Sequence, residues 1–502
     1  MNPNNTEMQY VLRTPLDVRV YQPKLKVSFH TKEKCYHAYG GETNQYGEVL
    51  NPMNQVLSIM TNKTLESPAG SFTISLAGSQ WRTYLTTNDI VVIEMGYIGE
   101  VTTTVMVGLI DSISVRRSVG ENGEPTVQTT ISGRDFGKLF VKDLLKFYPA
   151  IGGKTSSASH FLTEVGWIEM MKVFTADSIM KGTPAVLIDN IMRYIFMKYH
   201  DTEWTVYNEM GGGRKGKQTI QAGQIIRYQL GKINFFLPFL FSADQYEGSL
   251  WNMLERASIK PFTELWIDVR SPNEAWNPSE VGRAVPHEVE ESSSVEKGNL
   301  PKGKGFYPGT SFQFGEDGAK VVLCLRETPY SSALRSRLVS HRIDADECHY
   351  EDLTKSDGEH YNLFWAGTTV NPLGIDLKKA CPPLINESHV KRYGLSPLEV
   401  DIEGLEILES EKNKHGKTLE TMTKAYTAKL KAWYENNHNY WSGTLEIRGN
   451  ANIRVGHRVV YRSPSFTKEF YVEGVSHSFN VFEGWTTTLQ VTRGMELNEL
   501  VN

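Results

Sequence analysis

Chemistry in this chain would have to come from a few short stretches, and the first is MGGGRKGKQT, Met210 to Thr219. From Gly211 to Lys217 it satisfies the opening positions of a P-loop. In that motif a Gly-rich backbone cradles phosphates, a Lys reaches them, and a Ser or Thr hydroxyl binds magnesium where a helix begins. The position that should carry the hydroxyl is Gln218. The following QTIQAGQIIRYQ has paired β-branched residues and a Gly at 223, and WTVY precedes the loop, so both flanks read as strands. The stretch therefore predicts a β-hairpin with a flexible basic tip. Arg214, Lys215 and Lys217 then form either a contact for an acidic partner or DNA, or a solvated turn.

The remaining candidates fail on spacing or on the element that carries them. HEVEE at His287 opens like a zinc-protease helix, but Glu291 stands where the second His is required, in a stretch rich in Pro and Ser. HRIDADECHYED gathers His341, Asp344, Asp346, His349 and Glu351. Alternation on a strand puts Asp344, Asp346 and Cys348 on one face and His341, His349 and Glu351 on the other, which divides the ligands. The Gly and distal Glu of a calcium loop are missing, so a solvated strand edge is expected. Ser476 and His477 are neighbours on a strand and point to opposite sides, so they form no nucleophile pair, and His477 reads as a hydrogen-bonded structural residue. No G-x-S-x-G elbow occurs. Trp433, Tyr434, Tyr440 and Trp441 could stack sugars, but Trp433 continues a helical stripe and Trp441 opens a strand, so packing is the simpler account. No catalytic, cofactor-binding or metal-ligating residue is assigned.

Composition narrows the function classes further. Lys and Arg number 53 against 58 Asp and Glu, so no global basic field would hold the chain on nucleic acid or anionic lipid. Cys35, Cys324, Cys348 and Cys381 are far apart with no CxxC pair, which indicates reduced thiols and neither a zinc knuckle nor a disulfide framework. The N-terminus lacks a signal peptide's basic start and apolar core, and no window reaches the roughly 18 apolar residues of a membrane span. A chain made and soluble in a cytoplasm, without stable membrane insertion, is expected.

The elements that position these residues are mostly strands. LKVSFHT, GSFTISLAG, DIVVIEMG, TTVMVGLIDSISVRR and TVQTTISG alternate or run β-branched between Gly, Asn and Pro, with Phe72, Ile74 and Leu76 on one face. The period turns helical in DFGKLFVKDLLKF, where Phe136, Leu139, Phe140 and Leu144 align. Further helices are expected in TPAVLIDNIMRYIFMKYH, capped by Thr183, and from Ser249 through WNMLERAS. The strands FTELWIDV and KVVLCLRE frame a mobile loop over 271–309. Polar strands follow from Leu338, and a helix beginning near Thr418 carries the stripe Leu419, Met422, Tyr426, Leu430 and Trp433. GTLEIRG, HRVVYRS, EFYVEGVSHSF and WTTTLQVTRG return the chain to β.

The two β regions echo one another. VVIEMG, TTVMVGLIDSISV and VQTTISGR parallel VVYRSP, KEFYVEGVSHSF and WTTTLQVTRG: a paired-valine strand, a long strand broken by Gly108 or Gly474, then a Thr-rich strand ending in Gly beside Arg. This fits either an internal duplication or the common form of short hairpins. Two similar barrels per chain would let a threefold ring of chains present six, and so dock on a sixfold partner.

The same residues, in their order along the chain, resemble the baseplate hub proteins of contractile phage tails, a family related to the hub portion of type VI secretion spikes and of R-type bacteriocins. The likeness lies in DIVVIEMG, VMVGLIDSISVRR and TTISGRDFGKLF, in VVLCLRETPY with its Arg-x-Thr-Pro end, and in the closing GTLEIRGNANIRVGHRVVYRS and YVEGVSHSFNVFEGWTTTLQVTRG. It implies a β-dominated α+β fold: two tube-like antiparallel β-barrels with helical and mixed α/β segments outside. The divisions would be an N-terminal arm over 1–24, a first barrel over 25–135, a helical and mixed region over 136–337, a second barrel from 338–371 and 441–502, and a helix-bearing insertion over 372–440. The resemblance further implies a homotrimer in a virion tail baseplate, assembled in the host cytoplasm. It would lie between the tail tube and the central spike, touch other baseplate proteins, and have a lumen that passes DNA without reading its sequence. The equivalent hub of a type VI or non-contractile device, and a virion-borne cell-wall glycan hydrolase with β-sheet binding modules, are the competing readings.

Overall fold

A computed structural model describes residues 22–41, 55–119, 125–142, 144–147, 184–192, 196, 202–210, 214–231, 246–270, 312–329, 331–367, 381–401 and 412–496. The arm up to residue 21, the loop 271–309 with HEVEE, the cap at Thr183, and parts of the insertion (372–380 and 402–411) lie outside the described residues.

The first β region holds β1 (Pro23–His30), β2 (Cys35–Gly40), β3 (Val56–Thr64), β4 (Ser71–Ala77), β5 (Ile90–Tyr97), β6 (Thr103–Val119) and β7 (Pro125–Asp135). They run in the order β3-β4-β7-β6-β5-β1-β2, every pair antiparallel. The ends return toward each other where the Gln55 amide donates to the Tyr39 carbonyl at 3.0 Å. Leu25, Val27, Phe29, Phe72, Ile74, Leu76, Val91 and Ile93 fill the interior, as alternation predicts. The opposite faces of β5 and β6 are covered too: Ile90, Val92, Val107 and Leu109 join a second core. Double-sided burial is why VVIEMG runs apolar without a break.

The middle of the chain builds that second core. It contains β8 (Leu144–Phe147), β9 (Glu203–Met210), β10 (Arg214–Gln221), β11 (Ile226–Leu230), β12 (Tyr246–Ser249), β13 (Thr263–Arg270) and β14 (Lys320–Glu327). A helix at Leu250–Ser258 starts where the Ser249 side chain accepts from the Asn252 amide at 3.1 Å, the expected cap. Helical structure after Asp135 is shorter than the periodicity predicts. It spans Gly137–Lys142, and Leu144 opens β8, because LLKF takes its backbone partners from β12, about a hundred residues away. Phe136, Leu139 and Phe140 still point into the core. In β14, Val321, Leu323 and Leu325 face this core, while Val322 and Cys324 face the last β region.

The last part contains β15 (Ser340–Asp344), β16 (Cys348–Lys355), β17 (Leu363–Gly367), β18 (Leu384–Ile385), β19 (Pro397–Asp401), β20 (Trp441–Arg448), β21 (Arg458–Arg462), β22 (Thr467–Asn480) and β23 (Gly484–Glu496). β21, β22 and β23 form the same antiparallel meander as β5, β6 and β7. The two regions are not separate units. β22 pairs antiparallel with β3 from Gly474↔Thr64 to Asn480↔Ser58, and this joins thirteen strands into one sheet among the described residues. The helix expected near Thr418 starts earlier and runs Lys412–Tyr434. Tyr426 and Leu430 pack under β17 with Phe364 and Trp365, and Trp433 is also buried. The side chains of Leu419 and Met422 lie outside the described residues.

Candidate functional site

The glycine-rich stretch is a hairpin, as its flanks predict: β9 and β10 pair antiparallel with Arg214 opposite Met210 and Lys217 opposite Tyr207. Trp204, Val206 and Ile220 turn inward to the second core. The base of the hairpin is held on the first β region, with the Tyr207 amide donating to His30 Nδ1 at 3.2 Å and Trp204 Nε1 to the Asn88 carbonyl at 3.0 Å. Lys217 is exposed, while the tip at 211–213 and the side chains of Arg214 and Lys215 lie outside the described residues. A strand rather than a helix follows Lys217, so the helix N-terminus that a P-loop sets at the phosphate is not formed there.

Three layers meet where the two halves of the large sheet join. At their centre Arg326, the Arg of the Arg-x-Thr-Pro end of β14, is almost wholly buried. It donates to Glu264 Oε2 at 2.7 Å, to the Gly456 carbonyl at 2.9 Å and to Tyr471 Oη at 2.8 Å, with its guanidinium 4.9 Å from the Trp266 ring. One side chain thus ties β14 to β13 and to the meander of the last β region. Thr328 of the same motif donates to the Pro261 carbonyl at 2.7 Å. Next to it, Arg454 reaches across to the first region, donating to the Thr104 carbonyl at 3.2 Å and lying 3.9 Å from Asp268. Lys63 pairs with Asp135 beside it. Lys63, Asp135, Asp268 and Arg454 line a cavity of about 30 Å³ with His477. That volume holds about one water and no sugar ring.

Ion pairs of this kind seldom add net stability, but removing one partner strands the other without solvent. Arg326 and Arg454 act here as registration: each also finds an acceptor on a layer other than its own, at Gly456 and Tyr471 and at Thr104, which favours one register between the layers.

The histidines of this junction are kept neutral. His477 Nδ1 lies 3.0 Å from Thr487 Oγ1, and burial with Arg454 nearby pushes its pKa down to about 3. Ser476 faces the other way and donates to Asn62 Oδ1 at 3.1 Å, so the two do not form a nucleophile pair. His341 Nε2 lies 3.0 Å from His457 Nδ1, and burial, with Arg454 adding to it, lowers His341 to about 4. The single strand expected across HRIDADECHYED is interrupted. β15 ends at Asp344, a 3-10 turn spans Ala345–Glu347, and Cys348 starts β16. Asp344 and Glu347 cap this turn reciprocally, an Asp-x-x-Glu signature that alternation alone overlooks. His349, Asp346 and Glu351 are exposed and His341 turns to His457, so the potential ligands are dispersed. A different trio comes together: one ligand atom each from His360, His389 and His438 lies within 4.8 Å of the others.

No protein-family model matches the sequence, and no curated protein matches it. Solved structures do. The 43 kDa tail protein of prophage MuSo2 from Shewanella oneidensis aligns at 11% identity and TM-score 0.43 over 93% of this chain and 98% of that one. The tail protein from Neisseria meningitidis MC58 aligns at 11% identity and TM-score 0.42 over 94% of this chain and 97% of that one. A chain of the Francisella PdpA-VgrG complex aligns at 8% identity and TM-score 0.40 over 95% of this chain and 58% of that one. This chain is similar to phage tail proteins.

Sequence reasoning quoted Arg326 only for its Arg-x-Thr-Pro resemblance and missed its role, and it missed Arg454 and the histidine trio. The local signal was weak. Arg326 stands in a plain apolar strand, and the trio is spread over about eighty residues in three different elements. None of the four cysteines is in a disulfide, and Cys324 and Cys381 are buried. Among the described residues no helix is long and apolar enough to cross a membrane.

Proposed function

We propose that this chain is a structural subunit of a phage-like tail baseplate, a hub whose three copies form a ring between the tail tube and the central spike. The observation that carries this reading is the joining of two like meanders, β5-β6-β7 and β21-β22-β23, in one sheet through β3 and β22. A chain built so presents two similar strand arrays at a fixed angle, and three chains around an axis present six. A threefold body can then meet a sixfold one without either deforming. The net charge of −5 suits a lumen that passes DNA, because few phosphate contacts would retain it. The hub would act by shape, with any wall-degrading activity residing in another protein.

Native mass spectrometry and electron microscopy of the purified chain with tail proteins provide the test. A three-chain ring with an axial channel is expected. A stable monomer that associates with no tail protein would overturn the hub. Zymography on cell-wall material is the second arm, in which clearing by the purified chain would overturn the non-enzymatic reading.

A further inference from the structure

We propose that His360, His389 and His438 form a binding site for a divalent transition-metal ion of zinc type, which staples three separate segments of the region after β16.

The three imidazoles come from the loop before β17, from the helix Glu387–Tyr393 and from the 3-10 turn Asn437–Asn439. His360 Nε2 and His389 Nδ1 are 3.2 Å apart. Two nitrogens bound tetrahedrally to zinc at about 2.0–2.1 Å would be separated by about 3.3 Å, so this pair already stands at the spacing an ion needs. The ring of His438 lies 4.7 Å from that of His360 and 4.9 Å from that of His389, nearly perpendicular to both. Its Nδ1 is buried and makes no hydrogen bond. A buried imidazole nitrogen without a partner costs stability unless a ligand satisfies it.

The frame around the trio is built and rigid. Asn362, fully buried, donates from its side chain to the Gly394 carbonyl at 2.6 Å and accepts from the Ser396 amide at 2.8 Å. Asn386 caps the His389 helix and donates to Glu435 Oε1, at 2.6 Å, at the end of the long helix. Its backbone amide donates to the Asn362 carbonyl at 2.8 Å. Arg493 holds the His438 turn through Asn437 Oδ1 at 2.9 Å. Tyr393 closes one side, its ring centroid 4.4 Å from that of His360. These bonds fix the three backbone segments that carry the imidazoles.

The donor set names the class of ion. Three neutral nitrogens without a carboxylate or thiolate suit zinc, cobalt, nickel or copper, and disfavour calcium and magnesium, which need oxygen. Lys355 and Arg392 act on His438 and oppose a cation there, while Asp357 favours one at His360. The site completes with a fourth, exchangeable ligand, because the trio supplies only three positions.

The test uses the full chain, stripped with a chelator and titrated with cobalt(II) and then zinc(II). One cobalt per chain is expected, with the visible absorption of four-coordinate cobalt, abolished by zinc, and a higher thermal midpoint for the zinc form. Each of His389→Gln and His438→Gln should weaken binding by more than the roughly 100-fold that losing an outer-shell partner can cost, with unchanged circular dichroism. Binding of less than about 0.2 ion per chain, or equal binding by the variants, would overturn the site. Should the variants misfold, acylation of histidines on the wild-type chain decides. Zinc should protect His389 and His438, mapped by mass spectrometry, and lack of protection overturns the proposal.

Discussion

At the scale of single residues, what distinguishes this chain is where it has no side chain. The ring of Phe72 lies over Gly133 and Gly108, and a Cβ on Gly133 would stand 2.3 Å from the Leu109 carbonyl oxygen and 2.4 Å from the Phe72 ring. Neither a backbone carbonyl in a ladder nor a fully enclosed Phe can retreat. Gly133→Ala should therefore cost about 2–3 kcal/mol, read as a lower urea midpoint at unchanged slope. Gly474, the counterpart of Gly108 in the second meander, is the contrast: its Cβ would meet the side chain of Gln490, which is exposed and can swing away. Gly474→Ala should cost less than about 1 kcal/mol in the same experiment. Titration gives a second residue-scale expectation. His477 is held at about 3 in the folded chain against 6.5 ordinarily, so the unfolded chain binds a proton that the native one refuses. The stability this neutral residue permits is complete above pH 6.5 and is lost as pH falls toward 3, at about 1.4 kcal/mol per pH unit. Denaturation between pH 6.5 and 4.5 should be correspondingly steep, and His477→Gln should flatten it by that amount. An unchanged slope would mean that His477 is protonated in the native state.

At the scale of elements, the strands were legible from sequence and the helices less so, for a physical reason. A half-buried strand writes its face in alternation, and Phe72, Ile74 and Leu76 do lie on one side. Strand identity at LLKF was not written locally, because β8 exists through its pairing with β12. The interruption in HRIDADECHYED was written, in the Asp344 and Glu347 caps, but in a signal other than periodicity. Of the site, the basic hairpin was visible because its Gly-rich tip and β-branched flanks are adjacent in sequence. Arg326 was not, since its partners Glu264, Gly456 and Tyr471 come from three other segments. The long helix shows which part of such a stripe matters. Leu430 is fully enclosed with Phe364, Trp365 and Tyr426, and β17 has this helix as its cover. Leu430→Ala should destabilise by about 2–5 kcal/mol, depending on how far the cluster collapses. Hydrogen exchange would locate the loss: β17 and β19 amides should exchange faster while β5 and β6 keep their protection. Equal acceleration in both would mean that the insertion and the large sheet open together.

At the scale of the whole molecule, one continuous sheet leaves little freedom between its halves, and in the hub proposed above we assign a partner contact to the β9-β10 hairpin. Its base is fastened to the first β region through Trp204 and Tyr207, and beyond Lys217 the sequence places Arg214 and Lys215 toward the turn. On a chain of net charge −5 such a tip is a local positive field, and exposed charges of this kind govern the rate of encounter more than the strength of the final complex. Under that proposal, replacing Arg214, Lys215 and Lys217 together by Glu should slow association with an acidic partner in the tail by about tenfold at low salt. The difference should shrink as ionic strength approaches about 0.15 M and the Debye length falls to about 8 Å. The folded chain itself should melt as before, because nothing buried has changed. Stopped-flow association at several salt concentrations, with thermal unfolding alongside, separates the outcomes: an equal rate at low salt would make the tip a solvated turn, whereas a slowed rate with an intact fold assigns it to the contact.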